Sequence, residues 1–308
     1  MEFPVNGWIA PAIPENIKHG DMPGDKVEIG EDHIKKAGVI FPALTEMINT
    51  KYADQDKIVL CVCGGSGVGK SEIASLLSFY FESMGIGSYT LSGDNYPRRI
   101  PMYNDAERLH IFREGGLKRM MADGNYTPER FDMVYEWQKA GTDADPAYIE
   151  ANPWFASYIE GGKEALTGYL GTDKEQNFDD IQTILDAFHA GQEKIWLKRM
   201  GRTDVDLWYE AVDFSEVKVL IIEWTHGNND GFTGVDLPIF LNSTPAETLA
   251  HRRARNRDGK TDSAFTTMVL GIEQRLLHSQ AHKAAIILSK AAEILSFAEY
   301  SELMAKEM

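Results

Sequence analysis

Eight consecutive residues, Gly64, Gly65, Ser66, Gly67, Val68, Gly69, Lys70 and Ser71, carry the strongest chemical signal in the chain. They satisfy the pattern G-x-x-x-x-G-K-[ST] at every fixed position, through Gly64, Gly69, Lys70 and Ser71. Glycines let backbone N–H groups turn inward onto phosphate oxygens. A helix that begins where such a loop ends points its positive dipole end at the same anion. Lys70 adds a full charge near the outer phosphates, and the Ser71 hydroxyl can hold Mg²⁺. The ligands implied are ATP and Mg²⁺.

Two acids stand where they could act on that ligand. Glu223 ends the apolar run 217–223, so a carboxylate falls at the C-terminal edge of a strand, where open α/β sheets bind ligands. It could hold Mg²⁺ or polarise a reacting hydroxyl. Asp94 follows a second strand and would lie on the same edge, placed to accept the proton of an attacking hydroxyl. Gly-Asp-Asn is also ordinary turn chemistry, so a structural role is open on spacing alone.

Positive charge is clustered although the chain as a whole is acidic, with a net charge of −16. Arg252, Arg253, Arg255 and Arg257 lie within one predicted helix, with Arg252 and Arg255 on one side and Arg253 and Arg257 on another. Such arginines can close over ATP and stabilise charge on the transferred group. Arg98 and Arg99, just past Asp94, would attract a phosphate or carboxylate on a substrate, or pair with surface acids. Lys198, Arg199 and Arg202 form a similar, weaker cluster.

These residues need a scaffold that brings strand ends together. Residues 57–63 read as a strand buried on both faces, 71–84 as a helix stopped by Gly85, and 86–92 as a second strand. Further strands are predicted at 217–223, 237–241 and 284–288, with helices over 31–50, 104–121 and 177–190, from Pro245, and at the C-terminus. Residues 125–176 show no clear period and read as short helices and loops. Strands alternating with helices predict an α/β sandwich with a mainly parallel central sheet. The expected organisation is an arm and helix over 1–56, then a domain over 57–308 interrupted by a helical insertion at about 104–176.

Composition narrows the partners. The negative charge and the lack of a long basic stretch argue against nucleic-acid or membrane-surface binding. No run approaches the ~20 apolar residues of a membrane span. The first residues show no basic segment followed by an apolar core, so no secretion signal is read there. Cys61 and Cys63, the only cysteines, would point to one face of a strand as buried apolar residues, and a reducing cytoplasm is expected.

Four segments in order resemble the phosphoribulokinase/uridine kinase family of P-loop kinases. Residues 64–71 resemble its ATP loop, and 91–99 (Leu-Ser-Gly-Asp-Asn-Tyr-Pro-Arg-Arg) the segment with its catalytic Asp, which falls on Asp94. Residues 220–227 resemble the strand ending Glu-Gly-x-His, putting its metal-associated acid at Glu223, with Trp224 in place of the usual Gly. Residues 239–245 and the arginine run resemble the strand and lid helix, although the later arginines lack the family's spacing. Asn-Phe-Asp-Asp at 177–180 resembles a helix start in uridine kinases. The likeness covers about 57–98 and 177–290.

The resemblance implies a P-loop NTPase three-layer sandwich and phosphate transfer from ATP to a hydroxyl of a small metabolite: a sugar, sugar phosphate or other anionic alcohol. It implies Asp94, Lys70 and Glu223 as catalytic groups, Ser71 and Glu223 at Mg²⁺, and Asp94, Tyr96, Arg98, Arg99 and His226 around the acceptor. It leaves a homo-oligomer open. Rival readings are a uridine or other nucleoside kinase and a nucleotide-binding module without catalysis. The D-x-x-G and N-K-x-D that a GTPase needs do not occur after Ser71.

Overall fold

Unbroken apolar strands need cover on both faces, and the main sheet is built accordingly. The computed structural model describes residues 8–14, 16–201, 203, 205–244, 247–249 and 263–306. Helix α1 (Glu31–Lys51) leads into β1 (Ile58–Gly64), α2 (Lys70–Ser83) and β2 (Gly87–Ser92). After α3 (Pro101–Ala122), α4 (Pro128–Ala140), α5 (Tyr148–Ala151), α6 (Phe155–Thr167) and α7 (Phe178–His189) come β3 (Lys194–Met200), β4 (Leu207–Asp213), β5 (Val217–Glu223) and β6 (Leu237–Leu241). Helix α8 (Ala264–Gln280), β7 (Ile286–Leu288), β8 (Ile294–Leu295) and α9 (Phe297–Ala305) complete the described elements.

The main sheet has the order β2-β5-β1-β6-β7-β8, parallel except for the antiparallel β8 at its edge. Side chains along each strand alternate between two cores, as the pleat requires. Leu60, Val62, Val219 and Ile221 face a layer built on Phe41, Leu44, Ile73, Leu77 and Phe81 of α1 and α2. Val59, Cys61, Cys63, Leu220 and Ile222 face the other layer, with Ile181, Leu185 and Phe188 of α7 and Tyr300 and Met304 of α9. This is the expected three-layer α/β arrangement. Cys61 and Cys63 share one face, buried and unbonded to each other.

Strands β3 and β4 were not foreseen. They form a separate antiparallel pair that matches Lys194 with Asp213 and Met200 with Leu207. Strand β4 is exposed along almost its whole length, so no apolar alternation marks it in the sequence.

The chain divides into two units. The first, Met1–Pro97, Asn177–Thr244 and Leu277–Met308, contains the main sheet. The second consists of Arg98–Gln176 and Pro245–Leu276. Its own core holds Phe112 of α3, Phe155 and Tyr158 of α6, and Val269 and Ile272 of α8. Within it Arg108 pairs with buried Glu175, and Arg113 makes two bonds of 3.0 Å to buried Asp143. Residues 125–176, read as short helices and loops, are three helices with short connections.

Candidate active site

Three parallel strands end at one level, and that register assembles the site. Ser92 of β2 is the partner of Glu223 of β5, and Glu223 is the partner of Val62, two residues before the glycine loop. The loop's glycines are required by its backbone. Gly64 has φ 146°, and a Cβ there would sit 2.5 Å from the carbonyl oxygen of Leu241 on β6. Gly69, the residue before α2, has φ 93° in the left-handed region that side chains disfavour. Gly65, Ser66 and Gly67 are half-buried and open to a ligand, while Val68 packs into the core.

The chain folds the expected polar groups around Glu223. Its Oε2 accepts from the Ser71 hydroxyl at 2.9 Å, and its Oε1 from the Ser92 hydroxyl at 2.7 Å. Burial, then the nearby negative charge of Asp94, push the Glu223 carboxyl up to about 8. The Ser92 bond, the Lys70 charge and the Ser71 bond oppose that rise. Asp94 itself is exposed in the short turn after β2. Lys70 donates to the Gly65 carbonyl at 3.0 Å, folding its ammonium back over the loop. Lys70, Ser71 and Glu223 thus stand together beside the loop, with Asp94 near enough for its charge to act on Glu223.

Trp224 has a structural role. It is buried, and a Cβ on Gly93 would overlap its indole. The indole therefore packs against the turn that carries Asp94, with Phe178 at 5.6 Å behind it. His226 stands edge-on to it at 5.5 Å.

Two of the residues expected around the acceptor are buried. Tyr96 has no exposed surface and lies among Leu91, Phe178 and Trp224 in the core. His226 is buried beside Trp224, because the chain turns inward behind the indole.

Arg98 and Arg99 belong to the second unit, where their guanidinium groups have protein partners. Arg98 donates to the carbonyl of Asp173; Arg99 bonds to the Tyr169 hydroxyl at 3.1 Å and pairs with Glu107 at 3.2 Å. Arg199 is likewise engaged, with Asp21 at 2.9 Å and Glu210 at 3.1 Å, and Lys198 donates to the Pro97 carbonyl. Arg202 and the four arginines Arg252, Arg253, Arg255 and Arg257 lie outside the described residues.

Sequence reasoning missed the arm's contribution. A Cβ on Gly20 would come 3.5 Å from Glu223 Oε1, so the arm passes directly over that carboxylate. The next residue, Asp21, accepts from the Ser92 N–H at 2.7 Å, Asn95 Nδ2 at 3.1 Å and the Tyr89 hydroxyl at 2.9 Å. No periodicity or motif in the irregular arm signals that contact.

Comparison with known proteins adds a relative. The chain is 35% identical over 261 residues to the bifunctional alpha-galactosidase/sucrose kinase AgaSK of Mediterraneibacter gnavus. The match takes in 85% of this chain but only 23% of that protein. A solved structure of a candidate fructose transport system kinase from Silicibacter sp. TM1040 overlaps 78% of this chain and 93% of its own, at 15% identity and a TM-score of 0.46. D-glycerate 3-kinase from Cryptococcus neoformans var. grubii overlaps 87% of this chain and 99% of its own, at 9% identity and a TM-score of 0.45. No family model matches the chain.

Proposed function

We propose that the chain is a kinase of the phosphoribulokinase/uridine kinase type that transfers the γ-phosphate of ATP to a hydroxyl of a sugar. The observation that carries this reading is the convergence of a glycine phosphate loop, Lys70, Ser71, Glu223 and Asp94 at one sheet edge. The similarity to a bifunctional protein whose name includes sucrose kinase supports a sugar acceptor, with sucrose the first to test.

In this account backbone N–H groups of 64–69 hold the β-phosphate, and Lys70 leaves the Gly65 carbonyl to bridge the β- and γ-phosphates. Asp94 orients the acceptor hydroxyl and takes its proton, late in a loose transition state, so an ordinary carboxylate suffices. Water is kept from Glu223 by the arm and the neighbouring strands.

The donor set fits Mg²⁺. Ser71 and Glu223 offer hard oxygens 2.9 Å apart, and Mg²⁺ usually takes one or two protein oxygens and keeps water and phosphate for the rest. Among the described residues no cluster of three or more His, Cys, Asp or Glu competes as a metal cage. When bound, the ion would neutralise charge developing between the β- and γ-phosphates. Among the described residues no helix is long and apolar enough to cross a membrane.

The test is ADP release across neutral sugars, sugar phosphates, nucleosides and hydroxy acids, with Mg²⁺ present. Acceptor-dependent release strongest with a neutral sugar supports the proposal. Release that no alcohol stimulates contradicts it.

A further inference from the structure

The arm residue Asp21 contacts both sides of the turn that holds Asp94. Its Oδ1 accepts from the Ser92 N–H at 2.7 Å, two residues before Asp94, and from Asn95 Nδ2 at 3.1 Å, one residue after. Its Oδ2 accepts from the Tyr89 hydroxyl and from Arg199, each at 2.9 Å. Arg199 also donates to the Tyr89 hydroxyl at 3.0 Å. Asn95 is fully buried and completes the frame by accepting from the Met200 N–H at 3.0 Å. Ser92 is the residue whose hydroxyl holds Glu223 Oε1. One carboxylate therefore ties together β2, the turn after it and β3, immediately around the proposed base.

We infer that Asp21 is a positioning residue for phosphate transfer: it fixes Ser92 and Asn95, and through them the carboxylate of Asp94. The inference rests on the kinase reading above. It makes the arm part of the acceptor half of the site and not only a cover on the sheet. Two hydrogen bonds accepted by Asp21 Oδ1, from the Ser92 N–H and Asn95 Nδ2, add to the turn's own backbone bond from Tyr96 N–H to the Gly93 carbonyl, while Tyr89 and Arg199 fix Oδ2. A base displaced by about 1 Å loses on the order of 10²-fold in rate, which sets the size of effect expected.

The experiment measures kcat on the best sugar acceptor, together with ADP affinity by calorimetry, for the full chain and three variants. Asp21→Ala is expected to lower kcat about 10²-fold while ADP affinity stays within about threefold, because the phosphate loop is untouched. Asp21→Asn keeps one oxygen for Ser92 and Asn95 but turns an amide N–H toward Arg199, so a loss of about tenfold is expected. Glu210→Gln loosens Arg199 without altering the oxygen that faces Ser92 and Asn95, and kcat should stay within about twofold. A purely structural brace would lower melting temperature in the Asp21 variants and leave kcat per ADP-binding molecule unchanged; that result overturns the inference while the kinase reading stands. Should Asp21→Ala lose ADP binding through misfolding, Asp21→Asn decides, and its unchanged kcat overturns the inference equally. A wild-type chain that phosphorylates no alcohol removes the kinase reading and this inference together.

Discussion

The Ser71 hydroxyl donates to Oε2 of Glu223 across 2.9 Å, although 152 residues separate the two in sequence. That bond joins the first turn of α2 to the tip of β5, so the phosphate loop and the strand-end acid form one site. Water has little access to it, since Glu223 is buried. The ionised carboxylate therefore lacks the hydration that an exposed glutamate has, and Asp94 adds a like charge.

Stability of the ligand-free protein should therefore fall as pH rises. The folded-state carboxyl of Glu223 is raised to about 8 from an ordinary 4.5, so the folded chain keeps a proton that the unfolded chain loses. The stabilisation is complete below about 4.5 and lost as pH climbs through about 8. Glu223→Gln removes this dependence. In EDTA it should melt about 5 °C above wild type at pH 8.5 and close to wild type near pH 5, by calorimetry. The same variant should lose most phosphate transfer. Equal pH slopes for the two proteins would contradict the account.

Replacing Lys70 with Ala should cost on the order of 10²–10³ in kcat/KM, by analogy with loss of one preorganised charge-stabilising donor. The melting temperature should fall only slightly, since the Lys70 side chain bonds within the loop, to the Gly65 carbonyl, and its charge offsets only part of the cost of burying Glu223. Steady-state kinetics and a thermal melt check both halves.

Gly93 and Trp224 should behave as a coupled pair. Gly93→Ala forces a methyl into the indole and should cost about 1–3 kcal/mol. Trp224→Ala leaves a cavity and should cost about 3–5 kcal/mol. With the indole gone the new methyl has room, so the double variant should be more stable than the sum of the two losses implies. Urea denaturation of the four proteins measures it, and strict additivity would sink the packing argument.

The parts of this site that local sequence encodes were legible before the structure. The glycine loop is contiguous, and its flanking strand and helix follow from unbroken apolar residues and then helical spacing. Glu223 could be placed because it ends such a run. The burial of Tyr96 and His226 was not legible, because motif position says nothing about which way a side chain turns once Trp224 fills the space behind Gly93. Strand β4 was illegible because its residues face solvent, leaving no alternation to detect. Helix α6 places glycines at buried positions, Gly161 and Gly162, which blanks the apolar stripe that would reveal its period. Asp21 depends wholly on tertiary placement, since its partners lie 68 to 178 positions further on.

The most direct measurement is transfer itself, followed by phosphorus NMR with ATP, Mg²⁺ and sucrose or the best acceptor from the sugar panel, for wild type and Asp94→Asn. The account predicts a sugar phosphomonoester signal that grows with ADP for wild type. For Asp94→Asn it predicts near-silence, with ATP affinity within about threefold of wild type. Free inorganic phosphate as the sole product in wild type, or full transfer by Asp94→Asn, would contradict it.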